Sequence, residues 1–173
     1  MPSLVDSSSL AKVLVRASPD LGDSMGVHFG LSTRDPSGAL VVGYGYGEWL
    51  VLASPDSAGD VVHRFEGRPY DGLRSVIDVT HGYAVLRLTG TDAAELLSRL
   101  CPIDLSDDVT PTGAVFRSVV GGLSVGVIRD DEAGEPSYLL VVDRSYGQSL
   151  SDMLGDAGGE FALAYVRPPL PGM

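Results

Sequence analysis

Cysteine is all but missing from this chain. Cys101 is the only one in 173 residues, so no internal disulfide can form and packing must hold the fold together. Lysine is as scarce, with Lys12 the single one among twelve basic residues, a bias that reads as high-GC coding. The three histidines, His28, His63 and His81, are scattered, and no Cys-x-x-Cys or His-x-x-x-His spacing occurs, which argues against a dedicated zinc site. No apolar run reaches the roughly 18 residues a membrane helix needs. The N-terminus has no basic stretch followed by an apolar one, so no secretory signal is expected and the cytoplasm is the expected compartment. The net charge is -11, and the cations are not clustered. A nucleic-acid partner is therefore excluded, because phosphate recognition needs grouped Lys and Arg.

What is present is a foldable composition. Hydrophobic residues make up 44% of the chain, enough buried surface to offset chain entropy. The patterning predicts a Ser-rich loose tail over 1–9, a single domain over 10–166 with a weak lobe boundary near 54–73, and a C-terminal tail over 167–173. Segment 12–16 reads as a strand or the end of an incoming helix, and strands are expected at 26–32, 39–42, 48–52 and 75–79, with a turn over 33–38 and a hairpin turn at His81-Gly82. In 83–88 the residues Ala84, Leu86 and Leu88 share one face. A helix follows, with Asp92 and Glu95 as a capping box, Ala93, Leu96, Leu97 and Leu100 on its apolar face, and Pro102 ending it. Segments 114–120 and 123–128 form a second hairpin around Gly121-Gly122. The stretch 129–136 reads as a solvated charged loop. An apolar strand over 138–142 reads as central and buried on both faces. A second helix opens on a capping box at Ser145-Tyr146-Gly147-Gln148 and ends at Gly155 or Gly158. A last strand covers 160–166. From residue 74 the order is β-β-α-β-β-β-α-β, an α+β arrangement with split β-α-β elements.

Three groups of residues invite chemistry. Asp78, Thr80 and His81 lie together. An Asp-His pair suits acid–base work, but the same residues suit a turn in which Asp78 and Thr80 bond backbone amides, and the structural role is the one expected. Tyr44, Tyr46 and Trp49 flank a glycine-rich stretch that lacks the ending of a phosphate loop. Their rings are candidates for stacking on a flat heterocycle, for a partner interface together with Tyr70 and the 165–171 tail, or for the core of a thin domain. Cys101 precedes a proline at a helix end, where the dipole disfavours a thiolate, so packing is its expected role. No nucleotide or metal fingerprint occurs, and the isolated chain is expected to carry no tightly bound flavin, nicotinamide or metal.

Several segments resemble the γ subunit family of heterotetrameric sarcosine oxidase: Gly47-Glu48-Trp49-Leu50-Val51-Leu52, Asp78-Val79-Thr80-His81-Gly82 with the strand to Gly90, Cys101-Pro102-Ile103-Asp104-Leu105, and 113–118. The likeness runs from about residue 9 to about residue 162. The resemblance places the chain in the superfamily of the folate-binding aminomethyltransferases, the T-proteins. It implies paired ferredoxin-like βαββαβ halves, antiparallel sheets with helices on one face, as in a T-protein-like folate-binding domain. It also implies a non-catalytic subunit packed against larger α, β and δ subunits, which would carry FAD, FMN, NAD and tetrahydrofolate. T-proteins place an Asp on the strand after the second hairpin; here Leu123 to Ile128 offers no carboxylate. The alternatives are a stand-alone protein binding a pterin or similar heterocycle, and a homo-oligomeric scaffold.

Overall fold

A computed structural model describes residues 1–166. The expected C-terminal tail over 167–173 lies outside the described residues; of the last strand expected over 160–166, only Ala164–Val166 is strand, after a 3-10 turn over Gly159–Phe161.

After an opening strand, β1 (Ser3–Asp6), the chain runs through one series of elements twice. The first half is β2 (Ala11–Arg16), α1 (Leu21–Met25), β3 (Ser32–Arg34), β4 (Leu40–Gly45), β5 (Glu48–Ala53), α2 (Ala58–Glu66) and β6 (Ser75–Asp78). The second is β7 (Tyr83–Thr89), α3 (Ala93–Ser98), β8 (Val115–Val120), β9 (Leu123–Arg129), β10 (Ser137–Asp143), α4 (Gly147–Gly158) and β11 (Ala164–Val166). One sheet has the order β3-β4-β5-β2-β6 and the other β11-β1-β7-β10-β9-β8. Without β1 and the extra edge strands β3 and β8, both reduce to one order: β6-β2-β5-β4 and β11-β7-β10-β9. That is the ferredoxin-like arrangement, present in both halves as the resemblance implies. The halves interlock because β1 inserts between β7 and β11, antiparallel to the first and parallel to the second.

The two sheets pack face to face. Leu14, Leu40, Val42, Leu50 and Leu52 of one meet Val85, Val115, Ile128, Leu139 and Val141 of the other. Helices α3 and α4 cover the second sheet's outer face over Leu86, Leu88, Val127 and Leu140. Helices α1 and α2 cover the first sheet over Val13, Val15, Val51 and Trp49. Strand alternation therefore buries both faces of the inner strands. In β10, Tyr138, Leu140 and Val142 face the helices while Leu139 and Val141 face the other sheet, the central position its apolar run predicts. The β8–β9 hairpin turns on Gly121 and Gly122, whose φ of 57° and 85° are the left-handed values a two-residue turn requires.

Several expectations are corrected. The first residues are not a loose tail: β1 pairs on both sides, and Leu4 is 2% exposed. The segment 54–73 holds α2, which buries Val61 and Phe65, one turn apart, against the first sheet. The switch between sheets falls at 79–82 instead. His81-Gly82 consequently turns no hairpin: β6 pairs with β2, and β7 with β1 and β10, in different sheets. Gly26 stops α1 in a left-handed conformation, and β3 begins only at Ser32. Strand β4 continues through Tyr44 to Gly45, so the glycine-rich stretch is mostly strand. Gly43 is needed there because the backbone of His28 crosses it too closely for a Cβ. Neither capping box forms. Asp92 makes no cap bond and lies 3.5 Å from the terminal amine of Met1. A 3-10 turn over Arg144–Tyr146 precedes α4.

Candidate functional site

The chain passes between its sheets at 7–10 and at 79–82, and polar residues gather where these crossovers meet. Lys12 is the second residue of the buried run of β2 and is 0% exposed. Its Nζ donates to the carbonyls of Ser8 at 2.7 Å, Leu10 at 2.9 Å and Thr80 at 3.0 Å, so one ammonium ties both crossovers together. Burial, and then the Arg144 charge, pull its pKa from 10.5 down to about 8, against the pull of Asp6 and Asp78. Asp78 Oδ1 accepts from the Thr80 N–H at 2.9 Å, an Asx turn. The hydrogen bonds from Thr80 hold its carboxyl below the usual carboxylate range. Thr80 Oγ1 accepts from the Lys12 N–H at 3.0 Å. The turn closes with Gly82 N–H to the Val79 carbonyl at 2.9 Å, and Arg144 N–H to the Gly82 carbonyl at 3.0 Å.

Beside this cluster opens a cleft of about 400 Å³, lined by Asp78, Val79, His81, Gly82, Tyr83 and Asp143. His81 is exposed on its rim. The hydrogen bond of Asp78 goes to Thr80 and not to His81. The geometry thus engages Asp78 and Thr80 with backbone and leaves His81 without an orienting carboxylate bond. No group of three or more metal-ligating side chains comes together among the described residues.

The aromatic candidates separate. Trp49 is 2% exposed, packs under α1 and α2, and donates from Nε1 to the Val27 carbonyl at 2.9 Å. Tyr44 is buried between the sheets, with its ring against Gly126 and the Arg117 guanidinium 4.0 Å from its centroid. Burial pushes its phenol up to about 12. Tyr46, at the β4–β5 turn, is open, at 83% exposure. Tyr70 is half-buried and accepts from the Ser18 N–H at 3.2 Å. Tyr165 is exposed on β11, in the other sheet, and donates to the Ser151 carbonyl at 3.1 Å. These rings do not form one stacking or docking patch, because alternation along β4 and β5 turns Tyr44 and Trp49 into two different cores.

The charged stretch 129–136 is corrected at its start, while 131–135 are exposed as expected. Arg129 is buried and donates to Asp131 at 2.9 Å, to Asp107 at 2.6 Å and to the Thr110 carbonyl at 2.8 Å. Asp130 accepts from Arg34 at 2.6 Å and from Arg87 at 2.8 Å, which joins the two sheets. Beside Arg34 and Arg87 lies a second cavity of about 220 Å³, with Leu40, Leu52 and Leu139 in its wall. Nothing in the spacing of 129–136 marks these ion pairs, since their partners lie up to 96 residues away in the sequence.

Two interlocked ferredoxin-like halves in four layers define the class of this protein. A chain of aminomethyltransferase T of the glycine cleavage system from Bartonella henselae superposes with a TM-score of 0.72 at 15% identity, over 95% of this chain and 47% of that one. A chain of the heterotetrameric sarcosine oxidase from Corynebacterium sp. U-96, solved with pyrrole 2-carboxylate, superposes with a TM-score of 0.80 at 24% identity, over 95% of this chain and 87% of that one. The fold is that of the aminomethyltransferases and their relatives. Residues 34–160 match the model of the sarcosine oxidase gamma subunit family, and the chain belongs to that family. The sarcosine oxidase subunit gamma of Corynebacterium sp. strain U-96 is 27% identical over 132 residues, 76% of this chain and 62% of that protein. An aminomethyltransferase of Saccharopolyspora erythraea is 29% identical over 124 residues, 72% of this chain and 33% of that enzyme. The matched regions thus span about a third and about six-tenths of these relatives.

Proposed function

We propose that this chain is the accessory gamma-type subunit of a flavin-dependent sarcosine, or secondary amine, oxidase of the heterotetrameric kind, linked to tetrahydrofolate one-carbon metabolism in the cytoplasm. The family match over 34–160 carries the reading. The site geometry supports it. The polar residues at the crossovers bond to backbone and brace the two sheets, the role of a scaffold element. On this reading FAD, FMN, NAD and tetrahydrofolate reside on the larger alpha, beta and delta subunits, and the gamma chain stabilises their assembly.

Co-expression with the larger oxidase subunits of the same source tests this. The expected result is a stoichiometric complex whose sarcosine oxidation falls when the gamma chain is left out, with flavin absorbance absent from the gamma chain alone. A gamma chain that elutes alone, beside an oxidase fully active and stable without it, refutes the assignment.

A further inference from the structure

The layer between the two sheets is closed on one side and open on the other. On the closed side Leu31 bridges to Ala114, with the Val115 N–H to the Gly30 carbonyl at 2.9 Å and the Ser32 N–H to the Gly113 carbonyl at 2.8 Å. On the open side β6 is the last strand of its sheet, and its outer edge has no strand partner among the described residues. Ile77 lies opposite Leu14 in the ladder, so both side chains project from the same face of the sheet. Leu14 is 7% exposed and Ile77 48%: the covering sheet ends before it reaches Ile77. Leu73, which leads into β6, is 93% exposed. The cleft of about 400 Å³ opens at this same crossover, with room for a long side chain.

Its charge is one-sided. Asp78 and Asp143 line it beside His81, and among the described residues no lysine or arginine does. The nearby Lys12 holds its three carbonyls inside the fold, and Arg144 is outside the lining. We infer that β6 and the 79–82 crossover form the docking site for an extended segment of the larger oxidase subunits, a segment that presents a lysine or arginine to Asp78 and Asp143 and an aliphatic side chain to Ile77. An open strand edge offers backbone hydrogen bonds, and the pocket beside it selects the side chain. The charge of -11 on the whole chain draws a cationic partner to it. This inference rests on the accessory-subunit reading.

The test titrates the full chain against its own larger subunits. In the double variant Asp78→Asn with Asp143→Asn, the asparagine at 78 keeps an acceptor for the Thr80 N–H. Binding is expected to weaken at least tenfold at low salt, with a shallower salt dependence. Ile77→Glu is expected to weaken it as well, and amide exchange over 75–83 slows in the wild-type complex. Where the double variant is unstable, Asp143→Asn alone carries the test. Asp152→Asn with Asp156→Asn, on α4, is the control and leaves binding unchanged. Wild-type affinity in the cleft variants, with unprotected amides over 75–83, overturns the docking site and leaves the subunit reading standing. No binding by the wild-type chain overturns both. Concentration-dependent protection of 75–83 in the chain alone makes the occupant a second copy and also overturns it.

Discussion

Replacing Lys12 by methionine removes the one ammonium that ties the two crossovers together. The three carbonyls of Ser8, Leu10 and Thr80 lose their Nζ donor. At about 2 kcal/mol for each stranded, partly buried acceptor, the loss is about 6 kcal/mol. Against this stands the burial of the charge. A pKa of about 8 in place of 10.5 corresponds to about 3 kcal/mol of penalty at about 1.4 kcal/mol per unit, which methionine recovers. The net expectation is a loss of about 3 kcal/mol at pH 7, read by urea denaturation. The pH dependence has a definite sign. Between pH 8 and 10.5 the unfolded chain keeps a proton on Lys12 that the folded chain has released. Folded wild type therefore gains stability as pH rises through that window, and the methionine variant lacks this gain. Tyrosines and other shared groups cancel in the difference, so the gap between the two proteins should widen toward pH 10. Equal stability at pH 7 with parallel pH profiles refutes the clamp.

Other perturbations test the rest of the architecture. Gly126→Ala sets a Cβ against the Tyr44 ring between the sheets, and chemical denaturation should show a loss of about 1–3 kcal/mol from overpacking. Arg129→Met leaves Asp131, Asp107 and the Thr110 carbonyl without their donor. It should cost about 2 kcal/mol, chiefly for the stranded Thr110 carbonyl because the exposed Asp107 is solvated in its absence, and speed proteolysis within 104–112. Deleting residues 1–6 removes β1 from between β7 and β11, so the truncated chain should aggregate or unfold on expression; a soluble, cooperatively melting product contradicts the strand's role.

The sequence alone determined the elements whose signal is local. The alternation of Ala84, Leu86 and Leu88, the Gly121-Gly122 turn, and the unbroken apolar run from Tyr138 to Val142 each reflect a neighbour one or two residues away, and each stands in the structure where it was expected. The order β-β-α-β-β-β-α-β from residue 74 follows from them, as does the family, whose motifs are short but collinear. Tertiary structure decided what depends on distant partners. Strand β1 is only four residues long, and its pairing with β7 and β11 makes it a strand. No local pattern distinguishes a hairpin from a crossover at His81-Gly82, because a glycine suits a turn in either. Sheet membership set that outcome, and it created the cleft beside Asp78. Nothing local marks Lys12 or Arg129 as buried until the fold brings carbonyls and carboxylates around them. Burial then converts a side chain that costs little in water into one whose partners must all be present.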